Sequence, residues 1–425
     1  MTVTKTIKTS YGQRLGNSFK GVLGGIVLIV VGICLLWWNE KRTVYRSRAL
    51  STGRSAVVEG AYDTLNSADE GKLVHISGSA KTDSILKDEV FQVSANAFAL
   101  NRSVQMYQWV EEKEEETKEK LGGSEETTIT YTYKKEWSSF RADSSKFEEA
   151  GHDNPQMRFT SQEWLAPQAT FGAHKLTDSQ IRRIGGDAVL SVESIPQVKE
   201  AIEALKAADA KAAEAVKAGL EEAAKTQEGV AAQALAVQAN KLENGLFGIP
   251  ELKSYENGFY LGKDPANPEV GDLRISFSCI ASPADISIIC QQLKDTFAPY
   301  ATKTGNLDEM ANGIVSADLM FTSAEKSNKL IAWILRVLGF ILISAGIRKI
   351  LDPLATLGAV VPFIGRIIGA GASFIANVLG AVISLVVIAV AWIFYRPVLG
   401  IILLVIGAGL IVLLVKKGGS KNTAA

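Results

Sequence analysis

Cysteine and histidine are scarce in this sequence: there are three of each in 425 residues. No CxxC or HxxxH pair occurs, so a zinc site has little to build on. The phosphate-cradling and nucleophile motifs are missing as well: there is no P-loop, GxGxxG, GxSxG or HExxH. Charge of one sign is not in excess. The 45 basic and 45 acidic residues cancel, which removes the bulk-charge case for nucleic-acid binding. The histidines do not fill the gap. His75 lies on an expected strand and reads as a core or surface group rather than a general base. His152 sits in an Asn-Pro turn, and His174 has no evident partner. Carboxylates are abundant, but none is paired at a recognisable acid/base spacing. No catalytic, cofactor or metal residue is assigned.

The sequence does have long apolar runs, gathered at its two ends. A spanning helix needs about 20 apolar residues. Gly21 to Trp38 supplies one, with Trp37 and Trp38 at headgroup level and no small-residue cleavage site after them. A second span is read at 330–347, where Arg336 lies close enough to the start to snorkel to the interface. The stretch 354–369 is short and contains Pro362, and reads as an interfacial or re-entrant helix. Spans three and four are read at 370–395 and 398–415, joined by a tight turn at Arg396-Pro397. Four spans put the tails 1–20 and 416–425 on one side. The positive-inside rule makes that side the cytoplasm and leaves residues 41–329 outside it.

Residues 41–329 read as a β-rich extracytoplasmic domain. Val104–Val110 and Thr127–Trp137 are rich in β-branched and aromatic residues, and Gly122-Gly123 lies between them. Together they predict one long hairpin, with Glu111–Lys120 as its solvated outer part. Asp272–Ile280 and Ile286–Cys290 predict a second hairpin. On it, Cys279 and Cys290 would flank the turn and could form a disulfide in an oxidising compartment. Residues 197–243 are dominated by Ala, Glu, Lys, Leu and Gln, and read as a helical insertion of two helices or one kinked helix. The expected class is an α+β membrane protein with one N-terminal and three C-terminal spans.

Two further residue sets stand out. Gly21/Gly25 and Gly365/Gly369 have GxxxG spacing, and Gly407 recurs in the last span. These are candidate helix-packing positions, between copies or within one chain. Arg336, Asp352, Arg366, Asn377 and Arg396 are polar groups in or beside the C-terminal spans, as a conduction path would require.

Six strings in order carry a family resemblance: EGKLVHISG (Glu70 to Gly78), MYQWVE (Met106 to Glu111), YTYKKEW (Tyr131 to Trp137), GHDNP (Gly151 to Pro155), NPEVGDLRISFS (Asn267 to Ser278) and FYRP (Phe394 to Pro397). Together they resemble the transmembrane protein 43 family, also called LUMA, whose one-plus-three span plan around a hydrophilic domain is similar. The Ala-rich block departs from the animal members. That block, and the lack of a eukaryotic targeting signal, are read as pointing to a bacterial member. The resemblance implies the endoplasmic reticulum or inner nuclear membrane in a eukaryote, with nuclear-envelope partners, and the cytoplasmic membrane in a bacterium. It carries no enzymatic residue. The expected function is therefore a membrane scaffold with the bilayer and other copies of itself as partners. The alternatives are a channel or transporter subunit and an envelope- or lipid-directed enzyme.

Overall fold

The computed structural model describes residues 2–223, 245–398 and 402. Among the described residues, three helices are long and apolar enough to cross a membrane. Helix α1 runs Tyr11–Ala56. Its start is a capping box: Ser10 Oγ accepts from the Gln13 amide, and Gln13 Oε1 accepts from the Ser10 amide. Helix α2 covers Pro196–Ala223, the first part of the Ala-rich block, and its opening turns pack Val198, Ala201 and Leu205 onto the domain core. Helices α3 (Ala317–Gly358) and α4 (Pro362–Tyr395) complete the set. The expected fourth span with Gly407, and most of the second half of the Ala-rich block, lie outside the described residues.

Residues 354–369 are not a separate interfacial helix. They are divided between the end of α3 and the start of α4, with a corner at Ala359–Val361. Pro362 causes the restart, since proline is pre-organised for the first helical position and its missing N–H is not needed there. Gly365 lets the corner close: a Cβ there would stand 2.7 Å from Ala359 Cα.

The middle of the chain is β-rich, as its composition implies. Seven strands matter here: β1 (Thr2–Thr9), β2 (Leu73–Lys81), β3 (Val93–Glu119), β4 (Glu125–Ser138), β5 (Gly258–Leu261), β6 (Leu273–Ala281) and β7 (Ala284–Leu293). One sheet has the order β1-β4-β3-β6-β5, and in a second sheet β7 pairs with β2. The long hairpin is present, with β3 and β4 in register from Met106↔Ser138 to Glu119↔Glu125. At its root Arg102, Val104, Met106 and Gln108 are buried at every second position, while the charged outer part is exposed.

The second expected hairpin is not there. Strands β6 and β7 are consecutive but enter different sheets, so Cys279 and Cys290 lie in different hydrophobic cores and both are free thiols. The sequence shows two strands and a turn, but long-range pairing with β3 and β2 decides where each strand goes.

The two edges of the 41–329 domain are helical. Helices α1 and α3 continue past the apolar runs, and Ala49, Leu50, Met320 and Phe321 form a core with Leu73 and Ile289. The 41–56 segment hides this role behind its charges.

The N-terminal tail is not separated from the domain. Strand β1 pairs with β4 over eight residues, Thr2↔Thr132 to Thr9↔Glu125. The hairpin tip reaches the tail end of the helical bundle. There Arg14 pairs with Glu119 at 3.0 Å, and the Gly122 amide donates to the Val360 carbonyl at 3.0 Å. The alternation of Thr with Lys and Ile in Thr2–Thr9 complements the Thr-rich β4 face, a match that the tail-and-span reading passed over.

Candidate functional site at the membrane boundary

Helices α1, α3 and α4 meet around one carboxylate. Glu40 comes two residues after Trp38 and is fully buried. Arg336 Nε donates to Glu40 Oε1 at 2.6 Å and Nη2 donates to Oε2 at 3.0 Å. Trp392 Nε1 donates to the same Oε2 at 2.7 Å. The guanidinium lies over the Trp333 and Trp392 rings, 5.1 and 5.8 Å from their centroids. Arg336 therefore does not snorkel outward. Its charge is neutralised inside the bundle by a partner on another helix. Two amides reinforce the junction: Asn39 Nδ2 donates to the Ala332 carbonyl at 3.0 Å and Asn328 Nδ2 to the Thr43 carbonyl at 2.9 Å.

Glu40 accepts three hydrogen bonds, two from Arg336 and one from Trp392, and this ties α1 to α3 and α4. A carboxylate desolvated beside a guanidinium needs both charges present to be tolerated, which fixes the relative depth of three helices.

Of the other polar candidates, Arg396 at the end of α4 borders the junction, over the same Trp392 ring and 5.8 Å from its centroid, and the rest lie elsewhere. Asn377 is on an exposed face of α4. Asp352 lines a cavity of about 1070 Å³ between the hairpin tip and the bundle, with Arg14, Glu119, Arg348 and Ser373. The backbone of Arg366 is in α4, and its side chain lies outside the described set.

The glycine candidates divide. A Cβ on Gly25 would stand 2.6 Å from the Gly346 carbonyl oxygen, so α1 and α3 touch backbone to backbone. Among the described residues, Gly21 has nothing within 4 Å, and Gly369 meets only Ala355 Cβ at 3.9 Å. Gly32, Gly339 and Gly346, which are not among the sequence candidates, share the same helix contact. The signal was available: Gly25/Gly32 and Gly339/Gly346 are each seven residues apart, two turns of a helix.

Each histidine has a structural setting. His75 Nδ1 faces Glu59 Oε2 at 2.8 Å and Nε2 faces the Val315 carbonyl at 2.9 Å, which ties β2 to the entry of α3. His152 stacks on Tyr133 with centroids 4.0 Å apart and meets Trp109 edge-on. Beside it, Asn154 accepts from the Trp109 amide at 2.8 Å and donates to the Trp109 carbonyl at 2.9 Å, standing in for a strand neighbour. Burial and the hydrogen bond to Glu111 push the Tyr133 hydroxyl up to about 12. His174 is fully buried against Phe297. Burial also pushes the Cys290 thiol up, helped by Asp308.

These contacts describe a bundle with an apolar exterior, locked at one end to a β-rich domain. The comparisons agree with that plan. The family profile described as Transmembrane protein 43 matches residues 106–397, more than half of the chain. Transmembrane protein 43 of Mus musculus is 28% identical over 412 residues, covering 93% of this chain and 89% of the mouse protein. The Homo sapiens protein is 28% identical over 432 residues, covering 97% of this chain and 94% of its own length. The Drosophila melanogaster homolog is 28% identical over 408 residues, covering 94% and 95%. No solved structure matches the chain. A profile that runs from the root of the long hairpin through α3 to the end of α4 takes in both halves of the architecture, and the chain belongs to the transmembrane protein 43 family.

Proposed function

We propose that this chain is a multi-pass membrane scaffold that holds its β-rich domain at a fixed pose on the bilayer and binds proteins or lipids through it. The observation that carries this reading is the Glu40–Arg336–Trp392 junction, a buried polar lock between three spans. A lock of this kind serves placement of the domain. Self-association through the spans belongs to the same proposal. It is supported by apolar side chains left exposed on the bundle, among them Leu23, Ile26, Trp333, Phe374 and Leu385, and by the open surface at Gly21. The membrane is the cytoplasmic one if the chain is bacterial. It is the endoplasmic reticulum or inner nuclear membrane, with nuclear-envelope partners, if it is eukaryotic. In either case the domain lies on the side away from the cytoplasm.

The test is in-membrane cross-linking of the full-length chain followed by purification and identification of what is attached. The reading expects cross-linked copies and a reproducible partner set. A monomer without partners, or ion flux through liposomes carrying the pure protein, would replace it with another function.

A further inference from the structure

A second charged region, one turn beyond Glu40, has no role in the junction. Arg42 and Arg46 on α1 face Ser323, Ser327 and Asn328 on α3 across a cavity of about 270 Å³, and Glu309 closes one side. Arg46 is satisfied: it pairs with Glu309 and donates to the Asn306 carbonyl. Arg42 is not. Its Nε and Nη2 are buried and have no hydrogen-bond partner among the described residues. Asn328 Oδ1 is in the same position, while its Nδ2 is held by Thr43.

An arginine cannot escape burial by losing its proton, so unpartnered guanidinium nitrogens call for an acceptor of opposite charge. The charge count sets its valence. Two guanidiniums against one carboxylate leave the cavity with one net positive charge. The free acceptor on Asn328 asks for a hydroxyl donor next to that anion. Location adds a third constraint. Ile331 also lines the cavity, and Leu330, Ile331, Trp333 and Ile334 begin the exposed apolar surface of α3, so the cavity lies at headgroup depth.

We propose that this cavity binds a singly charged phosphate ester with a neighbouring hydroxyl. The Arg42 nitrogens Nε and Nη2 would take the phosphate as a fork, and Asn328 Oδ1 would take the hydroxyl. The phosphodiester of a glycerol-type phospholipid has this chemistry, and so does a small soluble phosphate. The site is independent of the scaffold reading, because a chain without protein partners could still fill it.

The full-length protein, delipidated in detergent, is offered phosphatidylglycerol, diacylglycerol or inorganic phosphate. Bound lipid is counted by native mass spectrometry, and thermal stability is followed in parallel. Phosphatidylglycerol should be retained at one per chain and diacylglycerol should not. Arg42→Gln should lower retention by about tenfold, and Lys41→Gln, a neighbouring exposed charge, should leave it unchanged. Ser327→Leu fills the cavity without altering charge and should act like Arg42→Gln. Arg42-dependent stabilisation by inorganic phosphate alone, with no lipid retained, supports the same site with a soluble ligand. Equal retention of phosphatidylglycerol and diacylglycerol by the wild type, together with no shift from phosphate, overturns the proposal even if the variants fail to fold.

Discussion

Gly25 and Gly346 lie so close that a methyl group on either would stand 2.6 or 2.5 Å from the other's carbonyl oxygen. Gly25→Leu or Gly346→Leu should therefore separate α1 from α3 and destabilise the bundle by about 1–3 kcal/mol, the usual cost of overpacking. Gly21→Leu meets open space among the described residues and should be neutral within one copy. Thermal unfolding in detergent measures all three, and equal loss at Gly21 would contradict the assigned contact.

Glu40→Ala leaves a buried guanidinium unpaired and should cost about 3–5 kcal/mol. Arg336→Met should cost a similar amount. The double variant Glu40→Met/Arg336→Met should recover much of that loss, because neither charge is then stranded. A double-mutant cycle on unfolding free energy gives the coupling, and strict additivity would show that the two residues do not interact.

Cys279 and Cys290 lie in separate cores, and burial raises the pKa of both thiols. Neither is poised to form a thiolate. The native protein should run identically on reducing and non-reducing gels, and both thiols should resist alkylation until it unfolds. A mobility shift abolished by Cys290→Ser would reinstate the disulfide.

Burial pushes the pKa of His174 below its ordinary value, against weaker pulls from Gln292, the Phe171 carbonyl and Asp295. A folded-state pKa below the unfolded one means the unfolded chain binds the extra proton first. Stability contributed by neutral His174 is thus complete above about pH 6.5 and is lost as the pH falls below it. Melting temperature followed from pH 7.5 to 5 should decline, and His174→Phe should flatten part of the decline. An unchanged slope in the variant would assign the acid sensitivity elsewhere.

Lipid around the bundle competes with the tail–hairpin ladder for the same flank. Lys113 to Glu119 carries six charged residues. Immersing them would cost about 2.5–3.5 kcal/mol each at mid-membrane, whereas eight cross-strand pairs contribute at most about 1 kcal/mol each. In nanodiscs the ladder should therefore open, and a Thr4→Cys/Thr130→Cys pair should fail to cross-link while Asn39→Cys/Ala332→Cys succeeds. Efficient cross-linking of the first pair would mean that this flank of the bundle stays in water.

The features legible in the sequence were the local ones. Alternation in Val104–Val110 and Thr127–Trp137, with Gly122-Gly123 between them, is enough to specify a hairpin. Apolar length is enough to mark Gly21–Trp38 and the core of α3. The pairing of β6 with β3 and of β7 with β2 was not legible, because strand partners as distant in sequence as Leu273 and Met106, or Ala284 and Ala80, leave no local trace. Glu40 was missed for the same reason: it reads as an ordinary flanking charge until a helix 296 residues later brings Arg336 to it.

Helices α1 and α3 do not end at the lipid surface. Forty-six residues of α1 give a rod of about 70 Å, and only about 30 Å of it can lie in hydrocarbon. The remainder is built into the domain through Leu50 and Gly53, where a Cβ would strike Leu307. Spans change their tilt when bilayer thickness changes. A tilt of about 10° would carry the far end of such a rod sideways by about 7 Å, and the domain would swing with it. Thickness of the host membrane is thereby converted into the angle at which the β-rich domain meets its surroundings.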